Sequence, residues 1–576
     1  MNAGRFALTS PRPLQVVIPV NLCYSCYKQS TSNLSNGASV GFDFIIVGAG
    51  SAGCVLANRL SADPHHRVLL LEAGGSDWNP LFRVPLMTGV LLRSRYANWF
   101  YRTEPEPHLN DRQLFWPRGR VLGGSSAING MVYTRGTRLD YDGWAQMGLP
   151  EWSFDKVLPA FMRGESYQPG ANAFHGGAGP LPISRPNTPN PLFDAFVAAG
   201  QQAGYPFNLD FNGETQEGFG RYDFTTKNGE RWSAARAFLG PARQRPNLVI
   251  RTDARLLKVI VENGRATGVE ILTGRERQSI RAERDIILSC GTVNSPAALM
   301  HSGIGDADLL RRHGIPVVRD LKGVGKNLQD HLLARVEHAC LEPVTLYSTL
   351  RGDRAALALL RAIFLKSGPA ASFPLEGGAF FKSDPALDEP DLQSHFLPGL
   401  STAALRLPFL AKASGRYDGH GFFANVYQLR PHSRGEITIG SADPLAAPRI
   451  RPNYLSDPAD LHVLREGVKA LRRVFAQPAF DRFRGPELAP GPDVVTDADI
   501  EHWLRGVADT VFHPVGSCRM GTDDLAVVDQ HLKVHGIPGL RVVDASIMPR
   551  MPSSNTHAPT MMIAERASDF ILGEAS

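Results

Sequence analysis

The sequence predicts an α/β fold, mixed α+β overall, in which a Rossmann-like nucleotide-binding domain is interleaved with a domain built on an antiparallel sheet. Three features carry that prediction. An apolar run empties into three glycines at Gly-x-Gly-x-x-Gly spacing, a second apolar run ends in an acid, and short alternating segments lie much later in the chain.

Phe42-Asp-Phe-Ile-Ile-Val47 is the first strand, and Gly48, Gly50 and Gly53 follow at once, with Ser51 inside the turn. The first glycine permits a tight turn, the second lets backbone N–H groups approach a pyrophosphate, and the third lets the next helix pack close to the strand. Cys54-Val-Leu-Ala-Asn-Arg-Leu60 supplies that helix. Arg67-Val-Leu-Leu-Leu-Glu72 is the second strand, and Glu72 stands 19 positions after Gly53, where a ribose-binding carboxylate belongs. A lone glycine motif predicts only a turn. Strand, glycines, helix, strand and acid in this order predict a bound adenine dinucleotide.

The next informative stretch is Trp116-Pro-Arg-Gly-Arg-Val-Leu-Gly-Gly124-Ser125-Ser126-Ala-Ile-Asn129-Gly130. Unhindered backbone donors and hydroxyls there suit a diphosphate and the edge of a planar ring, so a flavin dinucleotide is indicated. Later, Gly421–Tyr427 and Arg434–Gly440 alternate as strands of an antiparallel sheet, and Thr560–Phe570 reads as a helix. Arg354–Lys366 reads as a basic amphipathic helix, as does Leu405–Lys412 apart from Pro408; either suits a packed helix or contact with a membrane surface.

Composition narrows the function. A net charge of +5 with no basic run interleaved with aromatics does not point to nucleic acid, and six cysteines in 576 residues make no disulfide framework. No apolar run approaches a bilayer span, and no compact ligand set predicts a metal. Residues 1–41 hold Arg5, Arg12 and Lys28 and no acid, and are rich in Ser, Thr and Asn. They are expected to be a disordered extension or an organelle transit segment, mitochondrial if the source is eukaryotic. Otherwise a cytoplasmic location, with peripheral membrane association, is expected.

The motifs together resemble the glucose–methanol–choline (GMC) oxidoreductase family. Gly119–Asp142 is similar to its first signature, and Gly291–Gly305 to its second, with Ala298 where a larger aliphatic is usual. Arg231–Leu239, Gly323–His331 and Val543–Ser546 are further similar blocks in the same order. The resemblance implies noncovalent FAD, since Ile128 stands where a flavin-linking histidine occurs in some choline oxidases. It implies that Gly48, Gly50, Ser51, Gly53 and Glu72 hold the ADP half, that Gly124, Ser125 and Asn129 line the diphosphate and flavin ring, and that Asp544 and Ala545 close over the diphosphate.

The same resemblance places catalysis in Val511-Phe-His513-Pro514 and Asn555-Thr-His557-Ala-Pro559, with His513 as base beside the flavin and His557 orienting the substrate oxygen. Glu376 matches a carboxylate that faces the trimethylammonium group in choline-oxidising relatives, yet His557 replaces the asparagine usual in them. The implied reaction is oxidation of a primary alcohol to the aldehyde, with electrons passed to a quinone-like or dye acceptor. Choline dehydrogenase proper, an alcohol oxidase using O2 and a lyase on the same scaffold are the alternatives. The family pattern also implies three interleaved regions, 42–337, 338–430 and 431–567, with the FAD domain drawn from about 42–160, 230–335 and 505–572.

Overall fold

The computed structural model describes residues 41–406 and 417–573, so the expectations for the N-terminal extension and for most of Leu405–Lys412 fall outside the described residues. The chain from Phe42 onward forms one compact unit.

Its first sheet begins with β1 (Phe42–Val47), which a sharp turn joins to α1 (Ser51–Leu60) and then β2 (Val68–Leu71). β1 and β2 pair in parallel and are buried almost throughout, which is why both read as nearly continuous apolar runs rather than alternating ones. Distant segments complete this sheet. β3 (Gly218–Arg221) belongs elsewhere, but β4 (Leu248–Arg251) pairs in parallel with β2, followed by β5 (Ala254–Glu262), β6 (Arg265–Thr273) and β7 (Glu276–Leu288). β7 has two roles: its first half pairs antiparallel with β6, and its buried end, Ile286–Leu288, pairs in parallel with β1. The order is β4-β2-β1-β7-β6-β5.

α2 (Gly291–His301) leaves the end of β7, and the second sheet follows. It comprises β3, β8 (Leu332–Cys340), β9 (Gly377–Phe381), β10 (Leu392–Leu397), β11 (Gly421–Gln428) and β12 (Arg484–Ala489), in the antiparallel order β12-β8-β11-β10-β9-β3. Between β8 and β9 lies α3 (Gly352–Leu365). One face of the sheet is covered by α4 (Pro458–Phe475), whose Leu464, Val468 and Leu471 share a core with Phe396, Phe422 and Val426. Two further strands return late in the chain: β13 (Asp509–Thr510) to β8 and β14 (Leu540–Val542) to β7. The fold is thus the predicted combination of a Rossmann-like domain and an antiparallel sheet, each crossed by segments from the C-terminal quarter.

Two local expectations differ. Gly421–Tyr427 is a central strand of the second sheet, but of Arg434–Gly440 only Glu436–Thr438 is a strand, and it pairs with Arg449–Arg451 in a separate ribbon. Gly435 packs so closely on the Arg451 carbonyl that a Cβ would lie 2.1 Å from it, tying the segment to that partner. The final helix, α5, runs His557–Leu572 and so starts before Thr560. Pro559 does not delay it, because an N–H in the first helical turn has no intrahelical partner to lose.

Candidate active site

A cavity of about 420 Å³ opens between the ends of β1 and β2 and the inner strands β8, β10 and β11. Crevices beyond the carboxyl ends of parallel strands are where α/β sheets bind ligands.

The nucleotide end is built by the first turn. Gly53 lies behind it, where a Cβ would come 1.9 Å from the Gly48 carbonyl, so only glycine lets α1 approach the turn. Gly50 is different: a Cβ there meets nothing within 4 Å, and the residue faces the cavity. α1 has no side-chain cap and no acid in its first turn, leaving its N-terminal amides and the positive end of its dipole toward that space. Glu72 closes the edge. Its Oε2 accepts the Ala49 N–H (2.9 Å) and its Oε1 the Gly74 N–H (2.8 Å), while burial raises its pKa to about 7.

Across the cleft, Gly124 lies so near Gly50 that its Cβ would sit 2.7 Å from the Gly50 Cα. Asn129 Oδ1 accepts N–H groups of Met131 (3.1 Å) and Arg231 (2.9 Å), which fixes that loop. Arg231 is fully buried, and burial lowers its pKa to about 9. Asp544 accepts the Gly291 N–H (2.9 Å), the Ser295 hydroxyl (2.5 Å) and the Ser546 N–H (2.8 Å), joining the start of α2 to the segment after β14.

His513 and His557 stand at the other end. The His513 N–H donates to Asp330 Oδ1 (2.7 Å), and Asp330 also accepts hydroxyls from Thr510 (2.5 Å) and Tyr454. The His513 ring lies between two neighbours, with Nδ1 3.1 Å from His331 Nδ1 and Nε2 3.2 Å from Asn555 Nδ2. Burial, aided by nearby His331, His395 and Arg118, holds its pKa well below the ordinary 6.5, so the ring is neutral at pH 7. His557 is the first residue of α5. Its Nδ1 lies 3.0 Å from the Ser51 hydroxyl, its buried Nε2 has no partner, and burial lowers its pKa to about 4. A neutral ring with an unsatisfied nitrogen is suited to receive a ligand oxygen.

Of the expected residues, Gly48, Gly50, Ser51, Glu72, Gly124, Ser125, Asn129, His513, Asp544, Ala545 and His557 all line this cavity. Gly53 acts from behind it. Glu376 is not among the residues lining the cavity: it is fully buried, with its carboxylate accepting the Thr188 N–H (3.0 Å) and hydroxyl and pairing with Arg221 at 3.3 Å. The cavity wall at this point is Leu375, one residue earlier, because successive residues of an extended segment face opposite sides. Sequence reasoning assigned no role to Asn555 or His331, although both lie in the quoted motif blocks.

Residues 42–333 and 431–564 match the N- and C-terminal models of the GMC oxidoreductases. The chain belongs to the GMC oxidoreductase family. It is 45% identical over 534 residues to a protein named oxygen-dependent choline dehydrogenase from Brucella ovis, covering 92% of this chain and 95% of that one. It is 46% identical over 550 residues to mouse mitochondrial choline dehydrogenase, covering 93% and 91%. Among solved structures it resembles pyridoxine 4-oxidase from Mesorbium loti (TM-score 0.82, 32% identity, 92% of this chain and 98% of that one). It also resembles an Aspergillus oryzae formate oxidase variant (TM-score 0.85, 28% identity, 94% and 99%).

FAD is the cofactor that this membership brings, and the residues fit it. The open space at Gly50, the uncapped amides of α1 and the unpartnered Nε2 of His557 all face the volume it needs. Ile128 lines the wall with hydrocarbon only, so that position offers no nitrogen for a covalent link.

Proposed function

We propose that this GMC oxidoreductase oxidises an uncharged primary alcohol to its aldehyde, with His513 as the proton acceptor. The observation that carries this reading is the neutral His513 ring facing the cavity, anchored through its backbone to Asp330 and through its side chain to Asn555. FAD, when bound, supplies the two-electron acceptor for the hydride that leaves the carbinol carbon. The chain's own residues do the rest. His513 takes the hydroxyl proton at Nε2 as the C–H bond breaks, and His557 Nε2 holds the same oxygen in place. The apolar wall of Leu333, Phe373, Leu375, Val511 and Phe512 keeps bulk water from the reacting carbon.

The charge of the lining argues for an uncharged substrate. Among the described residues, the acids that line the cavity are Glu72 and Asp544, both at the nucleotide end, whereas Arg118 and Arg335 line it nearer His513. With Glu376 paired to Arg221, a quaternary ammonium group would meet guanidinium rather than carboxylate. Choline is the second reading, favoured by the names of the relatives. Anaerobic mixing of the holoenzyme with a panel of primary alcohols, choline included, tests both. Bleaching of the oxidised flavin band by uncharged alcohols supports the first, bleaching by choline alone the second, and no bleaching rejects alcohol oxidation.

For the reoxidising half-reaction, a quinone-like acceptor at a membrane surface suits the exterior of α3. Leu357, Leu360, Phe364 and Leu365 are between 53% and 74% exposed on this helix, with Arg354 and Arg361 beside them. Its other side, Ala358 and Ala362, packs on Val84 and Ala370, close to cavity-lining Thr88 and Phe373. An apolar ridge flanked by cations fits an anionic bilayer. Co-sedimentation with anionic vesicles at low salt is expected, with loss of binding in Leu360→Glu/Phe364→Glu; equal binding by both proteins would reject this contact.

A further inference from the structure

His331 makes no contribution to the cavity wall, yet it touches the ring that does. It is fully buried, its Nε2 lies 3.0 Å from the Leu429 carbonyl oxygen, and its Nδ1 lies 3.1 Å from His513 Nδ1. A carbonyl oxygen can only accept, so His331 Nε2 must carry the hydrogen. Burial lowers the His331 pKa to about 4, so the ring is neutral and its Nδ1 is a bare lone pair. The only hydrogen that can occupy the contact between the two rings is then on His513 Nδ1. That leaves His513 Nε2 unprotonated.

The opposite side of His513 agrees with this assignment. Asn555 Oδ1 lies 2.9 Å from the Thr134 hydroxyl and 3.1 Å from the Gln393 amide nitrogen, a donor, so this oxygen is the accepting end of the Asn555 amide. Its Nδ2 therefore points at His513, donating to Nε2 at 3.2 Å, as an unprotonated Nε2 requires. The chain of hydrogen bonds starting at the Leu429 carbonyl selects one tautomer, and the orientation of Asn555 matches it.

We infer that His331 is a positioning residue for the reaction: it fixes His513 as the Nδ1–H tautomer and so presents the Nε2 lone pair, which Asn555 Nδ2 holds until the alcohol hydroxyl displaces it, to the alcohol. In the proposed oxidation the hydroxyl proton goes to Nε2, the carbinol C–H pair leaves as hydride to FAD, and the Nδ1 hydrogen remains on His513, held by His331. The imidazolium thus formed keeps an acceptor at Nδ1. The inference rests on the proposed role of His513, but the tautomer itself is measurable without turnover.

Two measurements test it. Nitrogen-15 spectra of histidine-labelled holoenzyme, with the His513 signals assigned by their loss in His513→Ala, should show a protonated Nδ1 and an unprotonated Nε2; the opposite tautomer would overturn the inference. In anaerobic stopped flow, His331→Phe, which keeps the ring but has no acceptor, should slow flavin reduction at least tenfold with little change in apparent alcohol affinity. His331→Asn, which keeps an acceptor near the Nδ1 position, should recover most of that loss. Equal rates in His331→Phe and wild type, or an Asn variant as slow as the Phe variant, would also overturn it. If the Phe variant does not retain FAD, the spectra decide alone. Failure of every alcohol to bleach wild type would instead count against the proposed reaction and leave the tautomer result standing.

Discussion

Gly50 and Gly53 lie three residues apart in the same turn, and the structure gives an alanine at each a different outcome. At Gly53 the added methyl would overlap backbone, 1.9 Å from the Gly48 oxygen and 3.0 Å from its carbonyl carbon. Neither atom belongs to a flexible side chain, so α1 must move away from β1 by more than an ångström. Overpacking a core by one methyl costs about 1–3 kcal/mol, and rigid backbone on the receiving side puts Gly53→Ala at about 3 kcal/mol. The cofactor-free protein itself should therefore melt lower. At Gly50 the methyl meets nothing within 4 Å, and φ is −77°, which alanine adopts freely. Gly50→Ala should leave the melting temperature of the cofactor-free protein unchanged, while its methyl occupies the space a pyrophosphate needs. Losing one or two charge-assisted hydrogen bonds, at about 1.5–3 kcal/mol each, amounts to roughly 100-fold weaker FAD binding. Thermal melts and FAD titration of stripped protein measure the two effects. Gly50→Ala that binds FAD like wild type would refute the assignment of this turn as the pyrophosphate cradle, whatever the fate of Gly53→Ala.

Other consequences concern stability and pH. Glu565 on α5 is buried and binds Arg59 of α1 at 2.7 Å and Arg163 at 2.8 Å, so it ties together two helices whose first turns border the cavity. Breaking a buried pair costs about 3–5 kcal/mol, but these arginines are 26% and 40% exposed, so about 2 kcal/mol is expected for Glu565→Gln, read as a lower denaturation midpoint. An unchanged midpoint would show the cluster to be dispensable. His175 is enclosed with Glu165 at 2.9 Å and Asp210 at 3.0 Å; burial opposes its charge, but the Asp210 and Glu165 contacts outweigh it and raise the pKa above 6.5. The raised pKa means that its stabilisation is full below pH 6.5 and disappears as pH rises through the folded-state value. His175→Gln should flatten the fall in melting temperature as pH rises above 6.5, and an identical slope in both proteins would contradict this.

What could be read from the sequence follows the range of the interactions involved. The nucleotide turn was legible because strand, glycines, helix and acid are local, each with its own steric reason. The two histidines were legible only through their flanks, since nothing in the chain between them signals that the His513 loop and the start of α5 meet at one cavity. The pairing of Glu376 with Arg221 was not legible, because its position in the motif says nothing about which side of the chain faces Arg221. His331 and Asn555 sat in recognised blocks without a role, because their effect lies in a contact across 182 residues and another across 42. Tautomer selection depends on which partner can only accept, and that is decided by tertiary packing around Leu429 and Gln393.

The most direct test of the account is the anaerobic rate of flavin reduction by the best uncharged alcohol in wild type and in His513→Ala, both with FAD bound to the same extent. Loss of the base should slow reduction by about 10²–10⁴-fold while leaving the spectrum of the oxidised flavin in place. Equal rates in the two proteins would contradict His513 as the proton acceptor, and with it the chemistry proposed for this site.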